Sequence, residues 1–168
     1  MNPAQMLLPE FDNEMKTTRR LLERVPEEKM GWQPHEKSMT LGRLASHIAE
    51  LTGLGATVLT TEFRDMVPAA GAPPPKRLDS RSRQEVLDVF DANVAKTRAA
   101  IAEAEDAAFA QTWTLRAGDH VIFSLPRLGA IRTMLFSHII HHRGQLSVYL
   151  RLTDTPVPSI YGPSADEQ

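Results

Sequence analysis

Residues 128–152, LGAIRTMLFSHIIHHRGQLSVYLRL, place Leu128, Ile131, Leu135, His138, His142, Gln145, Tyr149 and Leu152 at alternating steps of three and four. That is the pattern of a helix packing one face against neighbouring helices. Three other segments carry the same stepping. Leu8, Phe11, Met15, Thr18, Leu22 and Val25 form one stripe, and Pro26 marks its end because proline cannot continue a helix interior. Leu44, His47, Leu51, Leu54 and Val58 form a second, opening after Ser38-Met39-Thr40 with Ser38 or Thr40 as N-cap. Leu87, Phe90, Val94, Thr97, Ile101, Ala104 and Ala108 form a third. Four such segments in one chain predict an all-α four-helix bundle.

The stretches between these segments are less regular. Val67 to Lys76, with Pro68, Gly71 and Pro73-Pro74-Pro75, reads as a loop of partly polyproline character. It is long enough for a crossover instead of a tight antiparallel turn. Gln111 to Ser124 reads as a small β-hairpin between helices three and four, turning at Ala117-Gly118-Asp119. The tail after Asp154 holds Pro156, Pro158 and Pro163 and is expected to lie extended over the bundle surface.

The 168 residues suit a single domain spanning 1–168, long enough to bury a core without a disulfide or a structural metal. Hydrophobic residues make up 42% and the net charge is -2, with no basic run, so nucleic acid is not the expected partner. The absence of cysteine excludes disulfides, zinc–thiolate sites and a cysteine nucleophile. Any thiol chemistry would use a thiol carried by a cosubstrate. No stretch approaches the roughly 18 apolar residues of a membrane span. Met1 to Glu10 lacks the basic and apolar regions of a signal peptide, so a cytoplasmic location is expected.

Among the six histidines, His138 and His142 lie four residues apart, roughly 40° around a helix axis and one turn along it. Both occupy consecutive positions of the fourth stripe, and His47 occupies a position of the second. Three imidazoles from two helices therefore point into one interior. A lone histidine on an apolar face is ordinarily a core residue bonded to a neighbour. Burying three costs free energy unless each finds a partner, and one metal ion satisfies all three. Three protein ligands also leave a coordination position open, the arrangement of a catalytic site. His141 falls beside the stripe, His120 on the hairpin and His35 in a loop, and these three are expected outside the cluster.

The run 137–146, SHIIHHRGQL, resembles the C-terminal helix motif of the DinB family, the DinB/YfiT-like metalloenzymes. The run 41–50, LGRLASHIAE, resembles that family's second-helix motif. Trp32-Gln33-Pro34 and the 156–167 tail with Ile160-Tyr161-Gly162-Pro163-Ser164 also resemble members, so the resemblance covers essentially the whole chain. The two motifs at this separation are its specific part. The resemblance implies an up-down-down-up helix order, a divalent metal on His47, His138 and His142 (zinc or nickel first, iron also considered), and a homodimer.

Relatives of that kind include bacillithiol- and mycothiol-dependent transferases, a mycothiol-dependent isomerase, metal-dependent hydrolases and members without known activity. The expected function is a metal-dependent thiol transferase or hydrolase acting on a small molecule, possession of the fold alone not selecting the reaction. Glu50, three residues after His47, is a candidate acid or base, set against a solvated helix charge. Gln145, beyond His142, is a candidate for bonding a ligand, set against a structural amide. Arg143 is weighed between an anion-orienting group and a surface ion pair. The alternatives are a non-catalytic, stress-induced metal-binding or interaction protein, and a bundle whose histidines are structural.

Overall fold

The computed structural model describes residues 2–68, 71, 73 and 77–167. The protein is mostly helical, with one small three-stranded sheet. The proline-rich part of the 67–76 loop, including Pro74 and Pro75, lies outside the described residues.

Helix α1 (Pro3–Leu22) opens on a capping box, Asn2 accepting from the Gln5 backbone and Gln5 reaching back to Asn2. It stops three residues short of Val25, which is nonetheless buried. Helix α2 (Leu41–Leu51) is capped by Thr40, whose Oγ1 accepts from Arg43 N at 3.1 Å. The second stripe does not run as one helix, because α2 is separated from α3 (Leu54–Thr60) by Thr52 and Gly53. Thr97 occupies that break. Its hydroxyl donates to Thr52 O at 2.6 Å and accepts from Ala56 N at 3.2 Å, serving backbone groups that the interrupted ladder leaves free. A Cβ on Gly55 would stand 2.4 Å from Thr97 Cγ2, so only glycine admits this contact.

The third stripe also divides. Helix α4 (Arg83–Glu103), capped by Ser82, ends before the short α5 (Asp106–Ala110). Phe109 instead of Ala108 then fills the core. The hairpin strands β2 (Thr112–Ala117) and β3 (His120–Pro126) pair antiparallel across a left-handed Gly118. They are not an isolated hairpin. A three-residue strand, β1 (Phe63–Asp65), pairs parallel with β2 and makes the sheet mixed. Asp65 holds the join, accepting from Gly118 N at 3.0 Å and from Arg116 Nε at 3.0 Å.

The fourth stripe is a continuous rod in three parts: α6 (Arg127–Ile131), a π-helical stretch (Arg132–Ser137) and α7 (His138–Leu152). Its buried face departs from the expected stripe. Ile131, Leu135, Ile139, His142, Leu146 and Leu150 are buried, whereas Leu128, Gln145 and Leu152 are exposed. A strict step of three and four drifts about 20° per heptad on a straight helix, and the π turn widens the pitch further. The buried positions therefore step by four more often than by three.

Side-chain contacts set the directions of these rods. Asp12 meets Arg98 while Arg19 meets Asp91, so α1 and α4 run antiparallel. Ala49 O accepts from Asn93 and Thr52 O from Thr97, so α2–α3 runs parallel to α4. Tyr149 reaches Met39 O while Leu135 lies against Gly55, so α2–α3 and the last rod are antiparallel. Phe11, Ile48, Phe90, Ile101, Leu135 and Ile139 pack in the shared core.

The tail lies back over α1 and α7, with Glu167 on Arg20 and Arg24, and Asp166 on Arg151. Arg143 belongs to this fastening and is not at the surface. It is 1% exposed, pairs with Glu14 at 2.6 Å, and donates to Tyr161 and to Thr18.

Removing one partner of a buried pair strands the other charge. Arg143→Met is therefore expected to cost about 3–5 kcal/mol, read as a lower urea midpoint. Gly55→Ala drives a methyl into Thr97 and is expected to cost ~1–3 kcal/mol on the same measurement.

Candidate metal centre

Helix α2 buries Leu44, Ala45, Ile48 and Leu51, and His47 stands at the edge of that face. Helix α7 buries Ile139, His142, Arg143 and Leu146, with His138 at the edge of its face. Because the two helices run antiparallel, those edges meet. The ring centroids are 5.4 Å apart for His47 and His138, 4.6 Å for His47 and His142, and 4.8 Å for His138 and His142. One ligand nitrogen from each of the three lies within 4.8 Å of the other two. His142 is buried, and His47 and His138 are half-buried, so the cluster is reachable from solvent.

Gln145 is exposed and bonds the site from outside. Its Oε1 lies 2.7 Å from His142 Nδ1. A carbonyl oxygen only accepts, so Nδ1 carries the proton and the Nε2 lone pair is left free. Glu50 Oε2 comes to 3.9 Å from His47 Nδ1, too far for a hydrogen bond. Its carboxylate is engaged elsewhere, with Arg43 at 3.0 Å and with Leu78 N at 2.6 Å.

All three imidazoles favour the neutral form. Burial pushes His47 down to about 4, helped by the positive charge of His142, Arg43, His138 and Arg77. His138 is lowered by burial and then by His142 and His141. His142 is lowered by burial, against the bond to Gln145, which raises it. Three neutral rings with lone pairs at short range form the donor set that zinc, nickel, iron or copper takes.

Of the other histidines, His141 is exposed with its ring 4.8 Å from that of His142, outside the three-nitrogen group. His120 and His35 are exposed on the sheet and in a loop. Two charged residues of the site, Arg43 and Arg77, were not singled out from the sequence. Arg43 lies one turn before His47 on the same helix, a spacing that could have revealed it. Arg77 sits in a loop with no periodic signal.

A mostly helical protein with three histidines converging from two antiparallel helices is the class defined so far. The chain belongs to the DinB family, whose model matches residues 1–168. It is 28% identical to the uncharacterized protein YrdA of Bacillus subtilis, over 95% of this chain and 89% of that one. It also shares its fold with a DinB-like protein from Bacillus cereus, with a TM-score of 0.65 and 21% identity across 92% of this chain and 95% of that one. The DinB-like protein YjoA of Bacillus subtilis gives a TM-score of 0.66 and 18% identity, covering 97% and 99% of the two chains.

The depressed His47 value has a consequence for stability. Between 6.5, its ordinary value, and about 4, the unfolded chain binds more protons than the folded one. Without metal, stability is therefore expected to fall as pH drops through that window. Urea midpoints recorded in the presence of a chelator should show this slope, and His47→Gln should make it shallower, with His138 and His142 still contributing.

Proposed function

We propose that this DinB-family chain is a metal-dependent enzyme that uses a low-molecular-weight thiol as cosubstrate, with one divalent ion held by His47, His138 and His142. The supporting observation is the group of three neutral imidazoles with ligand nitrogens within 4.8 Å of one another. Zinc and nickel are the first candidates and iron the third, all three accepting imidazole. The four rods are read as the up-down-down-up bundle implied by the resemblance, in keeping with the pairwise directions described above.

A cavity of about 400 Å³ beside Glu50 favours a thiol over a water nucleophile. It is lined by Glu50, Arg77, Leu78, Asp79, Ser80, Glu85 and Val89, a charged wall that suits a polar cosubstrate. The chain has no cysteine, so the sulfur must come with that cosubstrate. A divalent ion at the three histidines would lower the pKa of a bound thiol or water.

The chain's own groups orient and tune. Gln145 holds the His142 proton on Nδ1. Arg43 and Leu78 N restrain the Glu50 carboxylate, which thereby stays near His47 without bonding it. Arg43 and Arg77 place positive charge beside the imidazoles, where a thiolate would form. Glu50 and Gln145 are thus read as positioning residues for a small-molecule substrate. No helix among the described residues is long and apolar enough to cross a membrane. A cytoplasmic homodimer, without nucleic acid or membrane as partner, completes the reading.

Protein purified without a histidine tag is expected to carry about one equivalent of metal per chain, abolished in His138→Ala. Gln145→Leu is expected to weaken metal affinity by about 10- to 100-fold, the usual effect of losing a histidine-orienting partner. Electrophile consumption should require both a low-molecular-weight thiol and metal, and should vanish in His47→Ala. Turnover confined to an esterase and amidase panel would replace the thiol reading by a hydrolase. Full metal occupancy with silence in both assays would leave a non-catalytic metal-binding protein.

A further inference from the structure

A second cavity lies away from the histidines. It has a volume of about 530 Å³ and opens beside the mixed sheet, against Glu62, Phe63, Gln111, Thr112, Arg116 and Arg127, among others. Arg127 and His138 belong to one helical rod, eleven residues and about three turns apart. The volume falls within the usual range for a small-molecule site.

The charges around it are unequal in their compensation. Two arginines of the chain are buried, Arg143 and Arg127. Arg143 has a carboxylate at 2.6 Å. Arg127, only 9% exposed, has no carboxylate in ion-pair contact among the described residues. Its Nη1 donates to the Gln111 side-chain oxygen at 2.6 Å and its Nη2 to Thr61 O at 3.0 Å. Its Nε is buried with no partner among the described residues. Two neutral acceptors leave a whole positive charge unmatched in a desolvated position, and such a charge is costly unless an anion meets it.

The neighbouring Arg116 does not supply a second free charge. It is bonded to Asp65 and lies over the Phe63 ring at 4.0 Å. Glu62, exposed on the same wall, adds a negative charge. With Glu62 on the same lining, the buried Arg127 cation can match one negative charge, and a phosphate dianion is disfavoured relative to a monoanion. Phe63 and Val121, both substantially exposed, offer an apolar surface to the body of the ligand.

We infer that this cavity is a second ligand site, which takes a small organic acid with its carboxylate against Arg127 and its apolar part against Phe63 and Val121. It is independent of the histidine cluster and of the reaction proposed there.

Ligand-observed NMR on the metal-loaded protein tests the assignment, with isovalerate, its neutral amide isovaleramide, and inorganic phosphate as probes. Isovalerate is expected to bind at least about tenfold more tightly than either of the others. Treatment with a chelator, and the His138→Ala variant, should leave its binding unchanged. Arg127→Met should abolish it. Because that change can also destabilise the fold, Glu62→Gln provides the second variant, expected to tighten isovalerate severalfold by removing a like charge. Binding that disappears with the metal would place the carboxylate on the histidine site and overturn the inference. Equal binding of isovaleramide or phosphate, absence of isovalerate binding, or no effect of Glu62→Gln would also overturn it.

Discussion

The antiparallel contact between α2 and α7 is the constraint on which the site depends. Neither helix carries three ligands. His138 and His142 lie one turn apart on α7, and His47 comes from the opposite partner. Their convergence requires the right rotation of both rods about their axes. On α2 that rotation is set by the cap at Thr40 and by Leu44, Ile48 and Leu51 entering the core. On α7 it is set by Ile139, Leu146 and Leu150, and by the π turn immediately before His138. A π turn inserts one residue into the helical count, so everything C-terminal to it rotates relative to α6. The same turn lets one rod present Ile131 to the core at one end and the histidine pair to α2 at the other.

The gap between α2 and α3 and the Arg143 ion pair flank this contact, and each fixes one of its two helices. Thr97 bridges the gap between α2 and α3, and Gly55 makes room for it. On the other side Arg143, adjacent to His142, is fixed by Glu14, Thr18 and Tyr161. A buried pair of this kind contributes little net stability against an apolar replacement but penalises misplacement strongly. Its value here is positional. A shift of α7 by one residue would separate Arg143 from Glu14 and His142 from His47 together.

Much of this was legible in the sequence because it rests on periodicity. Helical segments, the converging histidines and the exclusion of His141 follow from steps of three and four, and the choice of Ser38 or Thr40 as cap follows from their side-chain oxygens. What escaped was set by tertiary contacts that leave no periodic trace. The interruption at Thr52-Gly53 depends on a threonine forty-five residues away. Strand β1 is three residues long and exists because β2 is available to pair with it. The exposure of Gln145 and the burial of Arg143 follow from the helical drift that a strict heptad reading ignores. Gln145 is the instructive case. Its predicted seam position was wrong, yet its proximity to His142 was right, because i and i+3 remain neighbours however the stripe drifts.

Charge placement around the histidines distinguishes this centre from a generic cluster of imidazoles. Arg43 and Arg77 lower the proton affinity of His47, which protects the lone pairs from protons and repels bound cations alike. A metal site gains affinity from nearby carboxylates, but Glu50, which comes to 3.9 Å from His47, is already paired with Arg43 at 3.0 Å. The surroundings therefore hold the imidazoles in the neutral form that a metal ion takes, without adding a free carboxylate ligand beside them.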